Sequence, residues 1–317
     1  MKAARYYGEK DIRIEEVENP RIKFDDEVLV EPLYCGICGT DLHEYVVGPI
    51  VTPTSPHPLT GVTLPQTFGH EFSARVVEIG SAVHNVKVGD RVAIMPAIVC
   101  GRCDECRTGR GHLCRRFACT GLSAETGGLG ELAVLKEYQV AVLPEEVTDI
   151  QGAVVEPALG ASEVVVSDPN PERAAFAATF GLGRVVNPMD AGFDDLMKDI
   201  THGKGFDRTI ECSGSTPGLQ AGIEYTKRSG KIAQTGLHTK PATIDAMKLS
   251  EKDLSIVGNW CYLITDWPRI IRMAASGRYP IEKVVSSVIE LDDVVTKGFD
   301  VLIDPNGNQM KVLTKVN

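Results

Sequence analysis

Cys100-Gly-Arg-Cys103-Asp-Glu-Cys106-Arg-Thr-Gly-Arg-Gly-His-Leu-Cys114 places four thiols within fifteen residues, with two-residue gaps between the first three. Gaps of that length let one loop wrap a tetrahedral ion, and four thiolates close its coordination sphere. The stretch therefore predicts a structural Zn²⁺ with no position open to chemistry. An iron–sulfur cluster draws on the same ligands and is the competing reading; four unrelated buried thiols are the plainer one. The loop is rich in Gly and Arg and almost devoid of apolar residues, which leaves a metal as its main organiser.

At 317 residues the chain exceeds the ~250 to 300 residues at which a single hydrophobic core stops growing, so two domains are expected. Hydrophobic residues at 43% and charged residues at 24% are ordinary globular values. Acidic side chains outnumber basic ones by 43 to 33, a formal net charge of −10. Nucleic acid and anionic membranes reward the opposite balance, so neither partner is expected. No run approaches the ~18 apolar residues of a membrane span, and Met1-Lys-Ala-Ala-Arg-Tyr6 lacks the apolar core of a signal peptide. A cytoplasmic location follows as an expectation. In a reducing compartment the nine cysteines read as metal chemistry and packing, not disulfides.

Up to about residue 155, short strand-like runs at 11–14, 27–30, 71–79 and 91–95 are separated by turn signals, among them Gly89-Asp90 after the strand-like Val86-Lys-Val88. This predicts an irregular β-barrel. From about 161 strands alternate with helices: strand 163–167, helix 171–180 opened by Pro171, strand 208–212, helix 219–227 and strand 231–235. Such alternation builds a parallel sheet covered by helices. From about 265, a helix over 267–276 is stopped by Gly277 and followed by a strand at 287–290, a helix from Val294 and a last strand at 310–314. The sequence has no internal repeat and no low-complexity segment.

Gly36-Ile-Cys38-Gly-Thr40-Asp41-Leu-His43 and Gly69-His70-Glu71 are weak signals apart, since a lone Cys or His is more often a packing residue than a ligand. With the four-thiol loop, Val88-Gly-Asp-Arg-Val92, Gly127-Gly128, Val155-Glu156-Pro157 and the strand-end Asp168, they form an ordered set over nearly the whole chain. In that set the chain resembles the zinc-dependent medium-chain dehydrogenase/reductase family, most closely its butanediol dehydrogenase branch beside the sorbitol and threonine dehydrogenases. The Pro-rich insertion at 48–58 is similar to that branch.

The resemblance implies a GroES-like β-barrel catalytic domain over 1–158, a Rossmann-type doubly wound parallel α/β domain over 159–264, and a C-terminal segment, 265–317, that returns to the first. It implies two Zn²⁺ per chain: a structural ion on Cys100, Cys103, Cys106 and Cys114, and a catalytic ion on Cys38, His70 and Glu156, with Glu71 beside it and able to exchange with it. Three protein ligands leave one position for a substrate oxygen, whose proton the ion makes labile near neutral pH while hydride passes to nicotinamide. Thr40 and His43 match the family's proton-relay positions; the competing reading makes Thr40 or Asp41 a helix N-cap and His43 a solvated side chain. Cys35, Cys119, Cys212 and Cys261 match no ligand position. His57, His84, His112, His202 and His238 receive no metal role, and His57 is a candidate for the substrate entrance. The implied activity is the reversible oxidation of a small secondary alcohol or diol, 2,3-butanediol to acetoin foremost, with polyol or threonine oxidation as alternatives, in a homo-oligomer, dimer or tetramer.

A dinucleotide site needs a strand, a Gly-x-Gly-x-x-Gly turn and a helix whose N-terminus holds the pyrophosphate, with an acid for the ribose about 20 residues on. The acid is present. Asp168 follows the strand at 163–167, and its carboxylate accepts from ribose hydroxyls and repels a 2′-phosphate, which favours NAD over NADP; Arg173 weakens that preference slightly. Ser213, Gly236, Leu237 and Asn259 stand where the family lines the nicotinamide side. The glycine turn is absent: Gly127-Gly-Leu-Gly130 precedes Glu156, and Gly181-Leu-Gly183 follows a helix. Roughly 30 residues, about one βαβ crossover, are missing between Glu156 and Asp168, which takes away the first strand, the glycine loop and the first helix. Two explanations compete: a segment of the molecule that lies outside this sequence, or a true deletion that leaves a non-catalytic zinc-bound protein. A wide Cα gap between residues 157 and 162 would reveal the first.

Overall fold

Glu27-Val-Leu-Val-Glu-Pro-Leu-Tyr-Cys-Gly36 is apolar enough to be covered on both faces, and the N-terminal half is assembled on it. The computed structural model describes residues 1–153, 164–181, 183–277, 281–304 and 307–317. In it, β3 (Glu27–Gly36) pairs along its length with β5 (Glu71–Ile79), at its start with β9 (Ala133–Lys136) and at its end with β17 (Lys311–Lys315). Next to β5 come β6 (Arg91–Ile94) and β10 (Val140–Val142), and next to β17 comes β16 (Val285–Glu290), which makes a seven-stranded mixed sheet. β1 (Lys2–Gly8), β2 (Asp11–Glu16) and β4 (Gln66–Thr67) form a three-stranded sheet, and β7 (Ala97–Ile98) pairs with β8 (Ala118–Cys119). The irregular barrel of the expectation thus takes the form of open mixed sheets, and no barrel closes among the described residues.

The core holds Tyr6 stacked on Phe68 at 4.3 Å between ring centroids, with Phe72, Leu129, Leu135 and Phe299 fully buried around them. A second cluster lies under the helix Trp267–Ala275. Its Trp267, Ile270, Ile271 and Ala274 recur every three or four residues and face Ala93, Met95, Leu143 and Val147. The run expected as strand at 86–88 is not one, because the Asp90 carboxylate accepts the Lys87 amide at 3.0 Å and closes a turn. The helix expected from Val294 opens as a π-helical turn, Val294–Phe299, before the short α-helix Asp300–Leu302.

The chain forms two units, Met1–Ala161 with Tyr262–Asn317, and Ser162–Cys261. In the second, β11 (Val165–Ser167) and β12 (Arg184–Val186) pair in parallel, while β13 (Phe206–Glu211), β14 (Thr226–Gln234) and β15 (Ser255–Gly258) make a separate parallel sheet in that order. Helices Pro171–Ala178, Phe193–Ile200 and Thr216–Tyr225 alternate with these strands. The Asn170 side chain accepts the Glu172 and Arg173 amides and starts the first of them. The Ser215 side chain accepts the Gly218 amide, so the helix expected over 219–227 begins a turn earlier.

Among the described residues nothing pairs β11 with β13. A doubly wound sheet carries its first, central strand at that place, and the sequence lacks that strand. Ile210 of β13 is accordingly 67% exposed. The junction at 157–162, Glu163 and the Val155-Glu156-Pro157 motif lie outside the described residues.

Gly69 and Gly121 explain why glycine recurs ahead of His70. Both have positive φ, +96° and +78°, and a Cβ on Gly121 would stand 1.9 Å from the Gly69 carbonyl oxygen. That oxygen also accepts the Gly128 amide at 2.8 Å. Gly121→Ala is expected to cost about 3 kcal/mol or more, from left-handed strain and the clash together. Urea unfolding reads this as a lower midpoint at unchanged slope; an unmoved midpoint would show that the segment before His70 yields freely.

Candidate metal centres

Cys38 caps the helix Gly39–Val47, and its amide donates to Asp41 Oδ2 at 2.9 Å. The N-cap is therefore neither Thr40 nor Asp41. Asp41 instead closes the first turn from the third helical position. Its other oxygen, Oδ1, lies 3.2 Å from His70 Nδ1, and Asp41 is fully buried. One carboxylate thus fixes the backbone of Cys38 and the ring of His70, which leaves Nε2 as the ring atom to offer a metal.

Cys38 Sγ, a His70 ring nitrogen and a Glu71 carboxylate oxygen all lie within 4.8 Å of one another. Burial alone would push the His70 pKa down, but the Asp41 carboxylate and the Cys38 sulfur overcome it and hold the imidazole well above its ordinary value. Burial likewise favours a neutral Glu71, yet the Lys311 ammonium and His70 hold its carboxyl below the usual range, and Lys311 Nζ donates to Glu71 Oε2. Lys311 opens β17 beside Gly36, where a Cβ would come within 2.8 Å of the Lys311 side chain. A buried imidazole drawn towards its charged form marks a place for positive charge. Thiolate, imidazole and carboxylate are zinc donors, so the residues fit that ion.

Thr40 Oγ1 is 3.9 Å from Cys38 Sγ, and His43 is half-buried three residues further along the same helix. Glu156 lies outside the described residues, so the described cluster has Glu71 as its carboxylate. Sequence reasoning missed Asp41 as an orienting group and Lys311 altogether. The three-residue spacing from Cys38 to Asp41 carried a signal for the first; Lys311, 240 residues from its partner, had none.

In the four-thiol loop the Sγ atoms of Cys103 and Cys106 are 3.4 Å apart, those of Cys103 and Cys114 3.9 Å, and those of Cys100 and Cys106 4.0 Å. Thiolates about 2.3 Å from one tetrahedral ion stand about 3.8 Å from each other. The cage is thus the size of a single ion and too tight for a multi-iron cluster. The amides of Cys100 and Arg116 both donate to Cys114 Sγ at 3.4 Å. The Arg102 amide helps draw the Cys100 thiol down to about 5, whereas burial and the neighbouring sulfurs push Cys106 up to about 12. Among the described residues none of the nine cysteines is in a disulfide; Cys35 and Cys119 are buried, Cys212 and Cys261 exposed.

His57 is a fastener of the Pro-rich insertion. Its Nε2 lies 3.1 Å from the Phe117 carbonyl oxygen, and Nδ1 accepts the Leu59 and Thr60 amides at 3.2 and 3.4 Å. In the second unit, Ser213, Gly236 and Leu237 stand on the turns after β13 and β14, and Asn259 follows β15, at the strand ends where parallel sheets bind ligands. Asp168 belongs to the other sheet, and its carboxylate is engaged: Oδ2 accepts Arg173 Nε at 3.0 Å, and Oδ1 accepts Arg173 Nη2 at 3.1 Å and the Asn170 amide at 2.8 Å. No Gly-x-Gly-x-x-Gly turn occurs among the described residues.

Residues 24–145 match the alcohol dehydrogenase GroES-like domain family, and residues 150–276 the zinc-binding dehydrogenase family. The (R,R)-butanediol dehydrogenase of Bacillus subtilis strain 168 is 32% identical over 356 positions that cover 100% of both chains. The L-threonine 3-dehydrogenase of Rhizobium etli strain CIAT 652 is 31% identical over 99% of this chain and 98% of its own. The crystal structure of 2R,3R-butanediol dehydrogenase from B. subtilis is similar with a TM-score of 0.90 at 32% identity, covering 100% of this chain and 99% of that one. Fold and donor clusters together define a zinc-binding oxidoreductase. The chain belongs to the GroES-like, zinc-binding alcohol dehydrogenases, which are oxidoreductases. The B. subtilis alignment runs over 356 positions against 317 residues here, so 39 of its positions have no residue in this chain.

Asp41→Asn is expected to weaken zinc binding about 10- to 100-fold, the usual cost of losing a carboxylate behind a ligating histidine. Competition with a chromogenic chelator measures it; unchanged affinity would confine Asp41 to the helix turn.

Proposed function

We propose that this chain reversibly oxidises a small secondary alcohol or diol to its ketone, 2,3-butanediol to acetoin foremost, with two Zn²⁺ per chain and NAD as hydride acceptor, as a cytoplasmic homo-oligomer, dimer or tetramer. The observation that carries this proposal is the convergence of Cys38, His70 and Glu71 within 4.8 Å, supported by full-length relatives named for that diol. Cys38, His70 and Glu156 hold the catalytic ion, and Cys100, Cys103, Cys106 and Cys114 the structural one. Bound zinc supplies Lewis acidity and bound NAD a hydride acceptor. The chain's own residues do the rest. Asp41 sets the His70 tautomer, Glu71 stands ionised beside the ligands under the hold of Lys311, and Thr40 and His43 pass the substrate proton towards water. Asp168, Arg173, Ser213, Gly236, Leu237 and Asn259 contact the dinucleotide.

A second reading is favoured by the split parallel sheet: a zinc-bound protein whose cofactor site is incomplete and which does not turn over. Fluorescence titration with NADH separates the two. Saturable binding with oxidation of butanediol, in preference to sorbitol and threonine, supports the first; zinc content without saturable binding supports the second.

Cys38→Ser should remove turnover and one zinc while the melting temperature holds, whereas Cys103→Ser should remove the other zinc and chiefly destabilise the fold. Metal analysis beside a thermal melt decides, and equal destabilisation in both would end this division of roles. Arg173→Ala frees the Asp168 oxygens and removes a partner for a 2′-phosphate. It should shift the preference for NADH over NADPH upward by about tenfold, and a fixed ratio of the two Kd values would exclude this pair from cofactor choice.

A further inference from the structure

Glu211, the last residue of β13, is only 3% exposed. Its Oε1 accepts the amides of Ser213 at 2.8 Å and Gly214 at 3.1 Å and the Ser213 hydroxyl at 2.5 Å; its Oε2 accepts Gln234 Nε2 at 2.6 Å and lies 3.6 Å from His238 Nε2. Its main-chain carbonyl accepts the amides of Thr235 at 2.9 Å and Gly236 at 2.8 Å. One residue therefore ties the turn after β13 to the turn after β14.

The two turns meet backbone to backbone. A Cβ on Gly236 would stand 2.2 Å from the Gly214 nitrogen and 2.6 Å from Glu211 Oε2, and one on Gly214 would stand 2.3 Å from the Leu237 carbonyl oxygen. The chain of contacts runs on from Ser213 Oγ to Ser215 Oγ at 2.8 Å, and Ser215 caps the helix Thr216–Tyr225. Burial would raise the Glu211 carboxyl, but the hydrogen bonds from Ser213 and Gln234 outweigh it and hold the group below the usual carboxylate range. The acceptor is thus ionised at neutral pH and able to hold several donors at once.

We infer that Glu211 is a positioning residue for the nicotinamide dinucleotide, fixing the turns that present Ser213, Gly236 and Leu237 without itself touching the cofactor. This rests on the NAD-dependent function proposed above. Turns already held in place bind with less loss of conformational freedom.

The test uses the full zinc-loaded chain with Glu211→Ala, Glu211→Gln and the double exchange E211Q/Q234E, read by NADH fluorescence titration and by amide hydrogen exchange of the cofactor-free protein. Gln retains the shape but turns an acceptor into a donor, and the double exchange restores a donor–acceptor pair across the two turns. Exchange at 213–214 and 235–236 should quicken by about tenfold in the single variants and not elsewhere in the sheet. The NADH Kd of E211Q should rise about tenfold and recover in part in the double exchange. Should Glu211→Ala fail to fold, E211Q and its double exchange carry the test. Variants that bind NADH like the wild type overturn the inference. So does unchanged exchange at those amides, or exchange that quickens across all of 206–258, which would make the role one of fold alone. A wild type that does not bind NADH removes the proposed function and this inference with it, an outcome distinct from a wild type and variants that bind equally.

Discussion

A carboxylate shut away from water must be answered by the protein, and Asp41 lies against Cys38 and His70, the two residues proposed as metal donors. It is fully buried, accepts the Cys38 amide through one oxygen and faces His70 Nδ1 through the other. Left unpaired, such a charge costs several kcal/mol, so the helix start at Cys38 and His70, the residue leading into β5, are held together in the fold as well as in the site. The glycine contacts behind His70 serve the same end from the other side. Gly69 takes a conformation that L side chains rarely adopt, and Gly121 and Gly128 press against its carbonyl. Donor geometry here is a consequence of packing.

How much of this was legible in the sequence depends on the range of the interaction. The four-thiol loop was fully legible because its ligands are neighbours in the chain and their spacing alone encloses an ion. Cys38 and His70 became legible only as members of an ordered set of motifs, since neither fragment states which distant residue it meets. Asp41 was half legible: its polar type at a helix start pointed to capping, but its contact with His70, 29 positions on, could not be read locally. Lys311 was not legible at all, because its place beside Glu71 is set by the register of β17 against β3. Boundaries slipped where a side-chain cap overrode the apolar pattern, as at Ser215.

The two units differ in how they tolerate what the sequence lacks. The unit with the zinc donors encloses two apolar clusters, and its strands are joined through β3 in one continuous sheet. Among the described residues of the other, the parallel strands form a pair and a triplet with no strand between them. A lost edge strand exposes one row of backbone groups, whereas a lost central strand exposes two. The 67% exposure of Ile210 records that cost on the side-chain level. The candidate metal donors therefore lie in the unit with the continuous sheet, and the proposed dinucleotide contacts in the unit whose described strands are divided.

What order remains at the cofactor-facing strand ends comes from the device already seen at the metal. Glu211 and Asp41 are both buried carboxylates near the end of an element, and both are held by backbone amides from the turn that follows or contains them. The partners differ in number: Asp41 meets one amide and one ring, while Glu211 gathers amides, a hydroxyl and the Gln234 side chain, with the His238 ring 3.6 Å away. The strand-end turns of the second unit are thus tied to each other by contacts of their own.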